Sequence, residues 1–126
     1  MEFETLERKL AERGARIGTL KQKLYRTLAA HLPEELEIRA AGEGLSSANG
    51  SYAPVIVSPG AVYIAAAAGL SGTAELVEVA RELITAVEVS GRILRKLTIH
   101  TATDRYVVRA VSKRQALAIT EELNSQ

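Results

Sequence analysis

The stretch Thr73–Leu94 most constrains what this chain can fold into, because its apolar residues recur at a helical period. Leu76, Ala80, Leu83, Val87 and Leu94 line up at about 3.6 residues per turn. Val77 and Ile84 widen that line on one side, Val79 and Ala86 on the other. The opposite face carries Glu75, Glu78, Arg81, Glu82, Thr85, Glu88 and Arg92. The pattern predicts an amphipathic helix with Ser71 or Thr73 as its N-cap. Its apolar arc covers half of the cylinder, wider than the roughly 100° stripe that packing on one sheet requires. One flank is expected on a sheet. The other is expected against a second internal helix or against the same helix of a partner copy.

A length of 126 residues suits a single domain with a real core. Apolar residues make up 47% and charged residues 25%, which sets disorder aside. A net charge of +1 argues by itself neither for nucleic acid nor for a membrane surface. Cysteine is absent, which excludes disulfides, a thiol nucleophile and thiolate metal ligands. The longest apolar run, Val62–Leu70, falls far short of the roughly 20 residues of a membrane span. The opening Met1-Glu2-Phe3-Glu4 has neither the basic nor the apolar part of a secretion signal, so a cytoplasmic location is expected.

Residues 1–32 read as an N-terminal helical segment. Phe3, Leu6, Leu10, Ile17, Leu20, Leu24 and Leu28 recur at helical steps, with Gly14 and Gly18 placing a kink at 14–18. Pro33 ends it. Residues 33–52 read as a linker or edge strand, since Leu36, Ile38 and Ala40 alternate with Glu35, Glu37 and Arg39 before a loop at Gly42–Ser51. Gly42-x-Gly44-x-x-Ser47 nearly matches a dinucleotide fingerprint. Its third position is serine and no helical period follows, so no nucleotide cofactor is expected.

From Tyr52 the pattern is of strands. Val55–Val57 and Val62–Ile64 flank a turn at Ser58-Pro59-Gly60-Ala61. Beyond the central helix, Leu97, Ile99 and Thr101 alternate, then Tyr106–Val111 and Ala116–Thr120 follow as further strands. The expected fold is α+β: a mainly antiparallel sheet of about five strands in helix-strand-strand-helix-strand-strand-strand order, with the helices on one face. Residues 52–126 would form its main α+β unit, within one domain overall.

This arrangement resembles the roadblock family of dynein-light-chain-like domains. The residues that carry it are Ala53–Ala66, the Ala/Leu-rich stretch after them, Lys96–His100, Arg105–Val111 and Ala116–Ile119, within residues 52–120. The resemblance implies a homodimer in which the central helices and the strands near Leu97–Thr103 pair. Candidate interface residues are then Val77, Val79, Leu83, Ile84, Ala86, Leu97 and Ile99. It also implies a non-enzymatic adaptor or regulator, serving a small Ras-like GTPase or a motor or scaffold partner. The chain departs from the family in its longer 33–52 connection and in lacking the C-terminal helix of many prokaryotic members.

A rival reading rests on charge. Arg92, Arg95, Lys96, Arg105, Arg109, Lys113 and Arg114 crowd one region in which Asp104 is the only acid. Such a region suits a nucleic acid or an acidic partner. Tyr106 is its one aromatic residue, which gives base stacking little to work with. His31 and His100 are isolated, so no metal site is expected. No Gly-x-Ser-x-Gly elbow surrounds Ser46, Ser47 or Ser71, and no catalytic residue is assigned.

Overall fold

The computed structural model describes residues 1–47, 49–68 and 73–125, and over these the chain is α+β. The elements are α1 (Phe3–Glu12), α2 (Gln22–Ala30), β1 (Ala40–Ser46), β2 (Tyr52–Val57), β3 (Ala61–Ala68), β4 (Thr73–Ala80), β5 (Ile84–Ser90), β6 (Arg95–Thr101), β7 (Arg105–Val111) and α3 (Lys113–Asn124). The strands form one antiparallel sheet in the order β4-β3-β2-β1-β7-β6-β5.

Consecutive strands β4 and β5 therefore lie at opposite edges of the sheet. Only the short 3₁₀ turn Arg81–Leu83 joins them, and it spans at most about 14 Å. Laid flat, seven strands would hold their edges about 29 Å apart. The sheet must curl until the edges approach, which makes it a half-barrel.

Helices cover both faces of the curl. On the concave face, Ala53, Val55, Val57, Val62, Val79, Leu97, Ile99 and Val108 meet Ala116, Ile119 and Leu123 of α3. On the convex face, Phe3, Leu6 and Leu10 of α1 and Tyr25, Leu28 and Ala29 of α2 cover Ala41, Ile56, Tyr63 and Ala65. The strict parity of β2, with Val55 and Val57 inward and Ile56 outward, follows from the pleat. Complete burial of Leu6, Leu97 or Ile119 contributes about 2 kcal/mol each.

These findings correct the expected layout. There are seven strands, not about five, and the roadblock-like order is not followed. The expected central helix is β4, a 3₁₀ turn and β5. Val77, Val79, Ile84, Thr85, Val87 and Val89 are β-branched, which suits a pleated surface better than a helix. A register irregularity between Ile84 and Ala86 breaks the alternation of β5. Together with the 3₁₀ turn, it spaces the inward residues so that they imitate a helical period. Thr73 opens β4, while Ser71 lies outside the described residues. The helices do not share one face. Ala116–Thr120, expected as a strand, lies within α3, whose apolar residues Ala116, Ile119 and Leu123 recur at helical spacing.

Gly42 and Gly44 belong to β1 and serve packing. A β-carbon at Gly44 would overlap the Arg109 carbonyl and come within 2.8 Å of Val108. One at Gly42 would meet Ile119 and Gln115 of α3 at 3.0 and 3.1 Å. The near-fingerprint therefore lets β1 approach β7 and α3 closely.

Candidate anion-binding surface

Pairing of Leu97 with Val108 and of Ile99 with Tyr106 sets which side chains of β6 and β7 turn outward. Lys96, Thr98 and His100 alternate away from the inward Leu97 and Ile99, and Arg105, Val107 and Arg109 away from Tyr106 and Val108. Lys96, Arg105 and Arg109 are exposed. The apolar cluster beneath α1 and α2 takes no residue from β5, β6 or β7, so those cations face outward beside the helical layer.

The remaining cations gather where β6 begins and α3 begins. Gly91, at φ 107°, turns the chain into Arg92-Ile93-Leu94 before β6. Arg95 Nη1 donates to the Arg92 carbonyl and braces this turn. Ser112 caps α3, its hydroxyl accepting from the Gln115 N–H at 3.3 Å. Lys113 and Arg114 occupy the first turn of that helix, and Arg114 Nη2 donates to the Gly14 carbonyl at 3.0 Å. Among the described residues, none of the seven cations from Arg92 to Arg114 has an acidic partner within 4.0 Å. Asp104 Oδ2 accepts instead from Thr103 Oγ1 at 3.0 Å.

Charge on α3 runs against its own dipole. Cations sit at the positive N-terminal end, and Glu121 and Glu122 at the negative C-terminal end. Each such placement costs about 0.3–1 kcal/mol at low salt. Arg81 relieves Glu122 at 2.9 Å; among the described residues no acid lies within 4.0 Å of Lys113 or Arg114. Glu35, Glu37, Glu82 and Glu122 gather around the Pro59–Gly60 turn at the far end of α3. Arg39 and Arg81 stand among these acids and pair with Glu37 and Glu122 at 2.8 and 2.9 Å, so charge there is largely matched, whereas the cations around the start of α3, the basic end of the molecule, have no such partners among the described residues.

A cleft of about 390 Å³ opens at the basic end, lined by Glu43, Leu45, Tyr52, Leu94, Ser112 and Gln115. Tyr52 donates its hydroxyl to Glu43 Oε2, and the Tyr25 hydroxyl lies 3.0 Å from that of Tyr52. Their rings meet edge to face at 6.2 Å, and Lys21 Nζ stands 4.1 Å from the Tyr52 centroid. The Glu43 N–H donates to Gln115 Oε1 at 3.1 Å. Burial raises the Glu43 carboxyl above the usual carboxylate range, against the lowering effects of the Tyr25 hydroxyl and the Lys21 charge. Burial likewise raises the Tyr25 phenol, and Glu43 adds to the rise. This network ties α2 to β1 and β2.

The seven residues expected at a dimer interface do not lie on one surface. Val79, Leu97 and Ile99 are buried beneath α3, and Val77 and Ile84 are half-buried against the same cluster. Leu83 and Ala86 face solvent. His31 Nδ1 lies 2.9 Å from the Thr27 carbonyl, and His100 Nε2 lies 3.5 Å from Glu88 Oε1. His100 Nε2 is buried and makes no hydrogen bond. Among the described residues, no three His, Asp or Glu side chains are grouped to hold a metal, and no helix is long and apolar enough to cross a membrane. Sequence reasoning overlooked Tyr25, Tyr52 and Glu43, which lie 18 and 9 residues apart and carry no spacing signal. It also overlooked the exposed pair Ile93-Leu94, although two aliphatics between Arg92 and Arg95 are visible in the sequence.

No family model and no curated protein matches the chain.

Proposed function

We propose that this chain is a binding module that holds an acidic partner through Arg92, Arg95, Lys96, Arg109, Lys113 and Arg114 at its basic end, with Arg105 further along the same two strands at the opposite end of the β6–β7 hairpin. The observation that carries the reading is the absence of an acidic partner beside any of these cations among the described residues. Exposed cations without acidic partners around the starts of β6 and α3 make a local positive field that steers an anionic partner onto that surface. The unfavourable placement of Lys113 and Arg114 on α3 supports the same reading, since their charge adds to the positive end of the helix.

The alternative adaptor reading, a homodimer serving a small Ras-like GTPase, needs a central helix where the fold has β4 and β5. It ranks below the acidic-partner reading for that reason. Heparin affinity chromatography tests the preferred reading. The wild-type chain should be retained and should elute with added salt, whereas Arg92→Glu/Lys96→Glu should elute markedly earlier. Passage of the wild-type chain through the column at low salt would refute the reading.

A further inference from the structure

The turn between β5 and β6 places two aliphatic side chains in water amid the cations. Ile93 is 88% exposed and Leu94 54% exposed, with Arg92 before them and Arg95 and Lys96 after. Leu20, 94% exposed, precedes the Lys21 that stacks on Tyr52 at the same end. Leu94 and Tyr52 line one cleft together with Leu45, itself 38% exposed. A nucleic acid would use the cations and leave these aliphatics without a role. A surface with apolar chains beneath phosphates uses both: aliphatic side chains enter the headgroup layer while Lys and Arg stay at phosphate level.

We infer that the basic end docks on an anionic lipid bilayer, with Ile93 and Leu94 entering the headgroup region and Arg92, Lys96 and Lys113 meeting lipid phosphates. The inference rests on the acidic-partner reading and narrows it to one partner. Charge complementarity selects an anionic surface over a neutral one, and the aliphatic tip selects a bilayer over a soluble polyanion.

Vesicle co-sedimentation of the full chain tests it, using phosphatidylcholine alone and phosphatidylcholine mixed with phosphatidylglycerol. The wild-type chain should sediment with the mixed vesicles and stay in solution with the neutral ones. Ile93→Ser/Leu94→Ser should weaken vesicle binding by about tenfold or more while leaving heparin retention unchanged. Arg92→Glu/Lys96→Glu should weaken both, with circular dichroism confirming that each variant is folded. Equal binding to neutral vesicles, or vesicle binding unaffected by Ile93→Ser/Leu94→Ser, would overturn the inference. Heparin retention without vesicle binding would overturn it too, leaving the acidic-partner reading intact in favour of a nucleic acid or an acidic protein. Binding to neither would overturn both.

Discussion

Arg81 and Glu122 join the link between the two sheet edges to the end of α3. Arg81 Nη1 lies 2.9 Å from Glu122 Oε2, Nη2 donates to the Glu122 carbonyl at 2.8 Å, and Nη1 also reaches the Ser58 carbonyl at 3.1 Å. Their side chains are only 11% and 19% exposed. Arg81→Ala leaves a sheltered carboxylate and two carbonyls without this donor. It should lower stability by about 2–3 kcal/mol in urea unfolding. A loss within error would mean that the bridge does not hold the curl closed.

Gly44 is fixed by the approach of β1 to β7. Gly44→Ala drives a β-carbon against backbone, which cannot yield as a side chain can, and should cost about 3 kcal/mol. At Gly42 the obstacles are the Ile119 and Gln115 side chains, so Gly42→Ala should cost about 1 kcal/mol. The ordering of the two urea midpoints is the check. A milder effect at Gly44 would contradict the packing role.

The character of 73–94 separates strand from helix by mutation. Val79 is 4% exposed and lies in the core beneath α3, whereas Leu83 is 60% exposed on the 3₁₀ turn. Val79→Glu buries an unpaired carboxylate and should abolish the cooperative thermal transition. Leu83→Glu should change stability by no more than about 0.5 kcal/mol. On the helix reading Val79 lies on a flank of the apolar arc, where Val79→Glu would separate a dimer and leave the fold largely intact; loss of the transition distinguishes the strand.

Glu43 makes stability depend on pH with a defined sign. Burial raises its folded carboxyl above the ordinary value, so the folded chain keeps a proton that the unfolded chain releases. Its contribution is full below the ordinary carboxylate value and is lost as pH rises through the folded value. Glu43→Gln cannot titrate, so it should flatten this fall while keeping an acceptor for the Tyr52 hydroxyl. Urea midpoints from mildly acidic to neutral pH provide the measurement. An identical slope in wild type and variant would rule out Glu43 as its source.

What is legible in the sequence follows from how local each signal is. Phe3, Leu6 and Leu10 mark α1 by spacing alone, and the Pro59-Gly60 turn between two valine-rich runs marks the β2–β3 hairpin. Gly14 does more than kink the helical segment. With φ at 75° it ends the first helix, and α2 starts only at Gln22. The strand β1 is hidden because its glycines, chosen for close approach, look like loop residues. The break inside 73–94 is hidden because Arg81-Glu82-Leu83 contains neither glycine nor proline. For α3, Ser112 and the spacing of Ala116, Ile119 and Leu123 were available but lost to an alternation in Ala116–Thr120. The seven cations were legible as a cluster. Their freedom from acidic partners depends on strand pairing distant in sequence, which no local pattern reports.

The most direct test of the basic end is an amide chemical-shift titration of the labelled chain with a short heparin oligosaccharide. The largest shifts should fall at 92–96, in the outward positions of β6 and β7, and at 113–114, fading as salt is added. Shifts concentrated around Glu35, Glu37 and Glu82, or no shifts at low salt, would contradict it.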